Sequence, residues 1–526
     1  MKKLRPTVFW PPMVLILVVL VLAIGFPGPF VTTLNTWSTV LLTRLSPVFA
    51  YTALISLIVM TAMYVLPIGR VTIGGEGAKP ILSRFSWCTI SLCNIASVGI
   101  LFWAMAEPIT HSSQPPASLG LVPNSPEAMR FALSTVYLHW TILPCAMYAL
   151  PALLFAIAFY NLGLPFSLSS PLSLVLGRKL SGKLASSIDA LSLFALVAGM
   201  AASLATGILT LSGGLGHLFG WKSAAPLWTG IGVVVLFAFI ASALSGLQRG
   251  VTYLSNINSI FFLLLGLFMI AYGPFSEMLA LSIEGTKEFL THFTGRALLS
   301  DFAANDPWPR SWTVFYWCVW LAWAPVTSAF LGRIAVGYTV RAFIFVNVIF
   351  PAAFSLVWMS IFGGSALAFQ RAGGDLVGLL QTHGPEALLY AVLAKLPLAA
   401  IIIPAFLVKA FISYVVAADS NSMSMAGLST EGISPEQADP STGLKLVWGG
   451  AVVAFALCLL CLSGVDGIRT LSYLGGIPAL FYEIIAAVGL MKLCWRPEKF
   501  GLKIPKWKTP SEKSALPVEL PQGSLP

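Results

Sequence analysis

The sequence predicts an all-α polytopic membrane protein of about twelve transmembrane helices, and three observations carry that expectation. Only 10% of the 526 residues are charged, while 57% are hydrophobic. A soluble domain has roughly 25% charged residues, so this composition does not coat a water-facing surface. Apolar runs of about twenty residues recur from end to end, the length a helix needs to cross hydrocarbon about 30 Å thick. Lys and Arg collect on alternate connections, as they do between successive membrane spans. Barrel strands would be about half as long and would alternate polar with apolar residues, so the backbone is satisfied by helices.

Taken in order, the run 8–27 follows Lys2, Lys3 and Arg5. It is longer than the apolar part of a secretory signal and has no small-residue cleavage site, so it is expected as the first span. Runs 48–68, 87–106, 136–160, 186–212, 226–246 and 257–275 follow, each bounded by Gly, Pro or charge. Segment 276–311 sets Glu277, Glu284, Lys287, Glu288 and His292 among Leu, Ile and Phe. That mixture predicts an amphipathic surface helix. Runs 312–332, 341–363, 393–419, 444–463 and 471–491 complete the set. The organisation is a short segment 1–7, one transmembrane domain over 8–491 and a tail over 492–526.

The charge distribution orients the chain. Of its 30 Lys and Arg, 20 fall on the side of the N-terminus and 8 on the opposite side, with Lys395 and Lys409 in or beside a span. An excess of basic residues marks the cytoplasmic side, so both termini are expected there and the span count is even. Topology thus accounts for the net charge of +10, and no nucleic-acid partner is needed. The seven cysteines form no paired C-x-x-C array, and neither a metal centre nor a disulfide framework is expected. No hydrolase, nucleotide-binding or redox pattern occurs, so neither an enzyme nor a cofactor is expected.

The aromatic residues are unevenly placed. Trp312, Phe315, Tyr316, Trp317, Trp320 and Trp323 crowd into twelve residues, and Phe315, Trp320 and Trp323 continue into the span. Trp312 and Trp317 suit an interfacial belt or packing. In an earlier span Pro144 follows His139 and Trp140, and Tyr148 stands two turns beyond Trp140. Two such aromatic faces either pack or face lipid, or else they enclose a cation through their ring quadrupoles.

The stretch from Trp312 to Arg341 resembles the most recognisable region of the betaine/choline/carnitine transporter family. Further matches follow in family order: Leu66 to Arg70, Gly74 to Pro80, Phe102-Trp103, Glu107-Pro108, Leu254 to Asn258, Phe362 to Gly364 and Ala418 to Ser420. The resemblance implies two leading helices and a LeuT-like core of two inverted five-helix repeats, about 87–275 and 312–491, joined by 276–311. It implies a secondary transporter of a small quaternary-ammonium solute, in a bacterial inner membrane. It also implies a homotrimer, with 276–311 as the contact element. Residue by residue it places an aromatic box at Trp140, Cys145, Tyr148, Val319, Trp320 and Trp323, beside Phe315. At Cys145 and Val319 the family's rings are absent.

Two other departures bear on coupling. Sodium-coupled members carry Thr-Ser where this chain has Val416-Ala417, so the sodium site is expected to be lost. The glycine-rich stretch of the third span is here Ile95-Ala96-Ser97-Val98-Gly99. Asp419 reads as a helix cap or loop acid and, as its other reading, is the candidate proton carrier. Arg249 suits a topological anchor better than the fixed charge of sodium-independent exchangers. The expected activity is sodium-independent, by exchange, uniport or proton coupling. The alternatives are a sodium-coupled betaine symporter and a transporter-like osmosensor acting through the basic, proline-broken tail.

Overall fold

The structure, a computed structural model, describes residues 4–95, 98–177, 180, 182–245, 248–431 and 441–504. Within these, the side chains of 93–95, 98, 101, 243–245, 248–259, 326, 416, 417, 419 and 420 also stand outside the description. Among the described residues there is no strand, only two isolated bridges, Leu4 with Thr430 and Thr72 with Thr339.

The leading helices are α1 (Pro6–Gly25) and α2 (Pro27–Val65). The stretch 28–47, expected as a connection, is helical, because Pro27 stands at the start of α2 where a missing N–H costs nothing. At 1.5 Å per residue, the 39 residues of α2 reach about 58 Å, far more than a bilayer core. The third run is divided into α3 (Arg84–Ile95) and α4 (Val98–Ser113). The fourth is divided into α5 (Pro126–Trp140) and α6 (Ile142–Ala156), the latter ending in a π turn over Ile157–Asn161. A short α7 (Ser173–Leu176) precedes the long α8 (Gly182–Phe219), which is buried along most of its length. Then come α9 (Ala225–Ser245) and α10 (Gln248–Tyr272).

Helix α11 (Phe275–Ala297) leaves α10 at a bend of 110°. It is shorter than the amphipathic segment expected over 276–311, since residues 298–307 form turns and bends. Its buried face carries Met278, Leu281, Ser282 and Gly285 and packs against α5 and later α14. The remaining helices are α12 (Phe315–Arg333), α13 (Val340–Ile344), α14 (Phe350–Arg371), α15 (Leu376–His383), α16 (Leu388–Ala394), α17 (Ala399–Leu428), α18 (Thr442–Ser463) and α19 (Val465–Trp495). The run expected over 393–419 begins later and ends later: Pro397 cannot continue α16, and Leu398 takes a left-handed φ of 59° before α17 starts. Lys492, expected to begin the tail, lies in the last turn of α19.

Eight helices among the described residues are long and apolar enough to cross a membrane, or ten when two bent pairs are each counted as one span. The other two of the twelve apolar runs lie in the divided α3–α4 pair and in α17. The core is formed where α12 packs on α6 and α19, and α19 packs on α8. Gly476 permits that contact, for a Cβ there would stand 2.4 Å from the Cα of Cys318.

Candidate functional site

The break between α5 and α6 falls at Thr141, whose φ and ψ are −109° and −117°. Pro144 is the cause, although it stands three residues later. Its ring would collide with the carbonyl of Trp140, four residues back, in a continuous helix. Placed in the first turn of α6 it needs no N–H partner. The carbonyl of His139, left without its helical partner, instead accepts the Nε1–H of Trp320 at 2.9 Å. One proline thus opens α5–α6 and ties the opened end to α12.

Beside this break lies a cavity lined by residues of α4, α5, α6, α8, α12 and α19. Trp140, Tyr148, Phe315, Val319, Trp320 and Trp323 line it. The ring of Trp320 stands perpendicular to its neighbours, with its centroid 5.4 Å from Trp140 and 6.2 Å from Tyr148. Cys145 is fully buried but does not line the cavity. Gly99 does, and a Cβ there would meet the Trp140 ring at 3.4 Å. Hydroxyl-bearing residues also line it, Ser203 and Thr206 from α8 and Ser472 from α19, beside Gly199, Ala202 and Ile468.

Two further cavity rings, Trp103 and Tyr316, were absent from the expected site. Their signals were the Phe102-Trp103 pair and the aromatic run, whose inward residues period alone does not separate. The hydroxyls of Ser203, Thr206 and Ser472 sit in apolar runs and give no signal. Trp312 and Trp317 are not belt residues. Both are buried, Trp312 edge-on to His111 at 4.6 Å and Trp317 edge-on to His139 at 6.1 Å.

Behind the rings is a centre that the sequence does not advertise. Glu107, read as the end of a span, lies within α4 and is fully buried. Its Oε1 is 2.6 Å from His139 Nδ1 and 3.1 Å from His111 Nε2. Its Oε2 accepts the Nε1–H of Trp140 at 2.7 Å and the hydroxyl of Tyr316 at 2.5 Å. His139 also reaches Thr313 Oγ1 at 3.1 Å through Nε2. Two fixed donors, the indole N–H and the hydroxyl, with two imidazole nitrogens beside them, suit the ionised, acceptor-only carboxylate. Glu107, His111 and His139 offer ligand atoms within 4.8 Å of one another, an arrangement within reach of a metal ion. The contact of 2.6 Å is however a hydrogen-bond length, whereas ligands around a tetrahedral zinc stand about 3.3 Å apart. The trio is a hydrogen-bonded unit.

Val416, Ala417 and Asp419 fall within α17, but their side chains lie outside the described residues, as do those of Arg249 and residues 95–98. The tail beyond residue 504 lies outside them too.

Residues 7–499 match the family profile described as BCCT, betaine/carnitine/choline family transporter. The chain is similar to the glycine betaine transporter OpuD of Bacillus subtilis, 30% identical over 88% of this chain and 90% of that one. It is 28% identical to the high-affinity choline transport protein of Escherichia coli, over 81% of this chain and 62% of that protein. The ectoine/hydroxyectoine transporter of Virgibacillus pantothenticus is 25% identical, over 82% of this chain and 85% of the relative.

Proposed function

This chain belongs to the betaine/carnitine/choline transporter family, and from that premise we propose that it carries a small quaternary-ammonium solute across the membrane without sodium. The observation that supports the solute class is the cavity with Trp320 perpendicular to Trp140 and Tyr148. A quaternary ammonium offers no N–H, so it is held by ring faces and apolar contact rather than by hydrogen bonds. The hydroxyl-bearing wall suits the other, polar end of such a solute. With Val at 319 and Cys at 145 the box has fewer rings than the family pattern, each worth about 0.5–2 kcal/mol to a bound cation. The solute's head group is therefore gripped by the remaining rings and by Phe315.

Sodium independence is supported by Val416-Ala417 standing in place of two hydroxyls. A hard cation needs several oxygen ligands, and two apolar side chains supply none. An ion left hydrated has no differential affinity with which to favour one conformation. The drive is then a gradient of exchanged solute or of protons, and Asp419 is the proton carrier in the latter case. Both termini face the cytoplasm of a bacterial inner membrane, following the basic-residue bias, and the assembly is a homotrimer built through α11. A native mass measurement in mild detergent returning only monomer counts against that assembly.

Uptake into proteoliposomes tests the function, comparing betaine, choline, carnitine and γ-butyrobetaine with and without sodium, a pH gradient and internal solute. Saturable uptake of one of them, indifferent to exchanging sodium for potassium, is expected. Steep saturable sodium dependence at fixed membrane potential overturns the sodium-independent mechanism, and no flux of any of them overturns the proposed solute class.

A further inference from the structure

Glu107 does not line the cavity, yet it holds the rings that do. Trp140 and Tyr316 both face the cavity, and both turn their polar hydrogen away from it onto Glu107 Oε2, at 2.7 Å and 2.5 Å. The same carboxylate takes His139, whose own carbonyl holds Trp320. One buried carboxylate thus bonds the edges of two cavity rings, Trp140 and Tyr316, and is linked to a third, Trp320, through His139. The titratable and charged groups facing it are His111 on α4, His139 on α5, Tyr316 on α12 and Arg469 on α19. Arg469 lies over the Trp312 ring at 4.7 Å and is held by Asp466 at 3.1 Å. Its charge is partnered by that carboxylate at the exposed end of the helix. No Lys or Arg among the described residues pairs with Glu107, whose partners are two histidine rings, an indole N–H and a phenol, so with both imidazoles neutral its charge is felt in the cavity.

We propose that Glu107 is the counter-charge of the cavity: through Trp140 and Tyr316 it makes the site prefer a cation to an uncharged group of the same shape. A ring that donates its hydrogen to an anion is polarised, and its face becomes more attractive to a cation. The carboxylate adds direct attraction across a water-poor wall. The inference rests on the cavity being the substrate site.

The test separates charge from shape. Choline, a cation, and 3,3-dimethylbutan-1-ol, which is uncharged, differ only by carbon in place of the quaternary nitrogen. Affinities are read by tryptophan fluorescence and calorimetry on the full chain in nanodiscs. The wild type is expected to prefer the cationic member of a pair. Glu107→Gln should reduce that preference about tenfold while leaving the uncharged isostere within about threefold. Equal loss of both members, the mark of a merely structural role, overturns the proposal, as does an unchanged preference. If Glu107→Gln does not fold, Tyr316→Phe is decisive, since it keeps ring and carboxylate and removes one donor. Cation preference should then fall, though less than in Glu107→Gln because Trp140 keeps its bond, and a preference that holds or rises overturns the counter-charge acting through the ring. Trp320→Ala, measured alongside, keeps the two ideas apart. Should it leave choline and betaine affinity untouched, the cavity itself is not the site. Should it weaken them while Glu107→Gln leaves the preference intact, only the counter-charge fails.

Discussion

Replacing Trp320 by Ala removes the ring that stands perpendicular to both Trp140 and Tyr148, and with it the corner of the cavity. For a desolvated cation against an indole face the loss is about 1–2 kcal/mol, which is roughly five- to thirty-fold in Kd. Trp320 is also buried and caps the carbonyl of His139. Truncation therefore costs stability as well, about 3–5 kcal/mol for a buried Trp, and affinity must be read only on folded protein. Trp320→Phe separates the two effects. It keeps a ring at the site but leaves the His139 carbonyl unmet, for about 1 kcal/mol of stability and a smaller loss of affinity than Ala. The assay is ligand titration of the solubilised chain, with Tm measured on the same samples. Trp312 and Trp317 are poor controls because each touches a histidine of the Glu107 centre. Trp358 is better, since it stacks on Phe362 in α14 away from the cavity. A folded Trp320→Ala protein with wild-type affinity for its best ligand refutes the assignment of this cavity.

Three further outcomes follow from the packing. Gly476→Ala drives a Cβ to 2.4 Å from the Cα of Cys318 and should cost about 1–3 kcal/mol or more. Its Tm should fall well below that of Gly450→Ala, whose Cβ meets nothing within 4 Å. Arg5 binds buried Asp189 at 2.6 Å and the carbonyl of Leu428 at 3.1 Å, joining α8 to the end of α17. Its side chain is 22% exposed, so Arg5→Ala should cost about 1–3 kcal/mol, less than a fully buried pair. Adding Asp189→Asn should recover part of that loss in a thermal melt. In the loop before α12, burial pushes the Asp306 carboxyl up, but hydrogen bonds from Ser118 and the Trp308 N–H, with Arg310 nearby, hold it below the usual carboxylate value. Its contribution to stability is present above the unfolded value of about 3.9 and is lost as pH falls through the lower folded one. Asp306→Asn should flatten that acid limb of a Tm-against-pH curve.

The sequence alone determined that the chain is helical and crosses a membrane, because hydrocarbon admits no unpaired backbone and apolar length is a local property. It also picked out Trp140, Tyr148, Phe315, Val319, Trp320 and Trp323, residues that lie on α5, α6 and α12 and line one cavity. The resemblance and the aromatic crowding marked them. Local pattern misjudged the helix ends. The α2 helix takes in a stretch polar enough to look like a loop, and the run over 393–419 shifted because Pro397 and Leu398 decide where α17 begins. Cys145 matches the box by position, yet it is buried without lining the cavity. Tertiary structure alone decided the role of Glu107. In the sequence it is an acid beside a proline, 32 residues from His139 and 209 from Tyr316. His111 stands one turn along α4 from Glu107, but His139, Trp140 and Tyr316 join it around the carboxylate only when α4, α5 and α12 pack together, and no periodicity within one helix records those three.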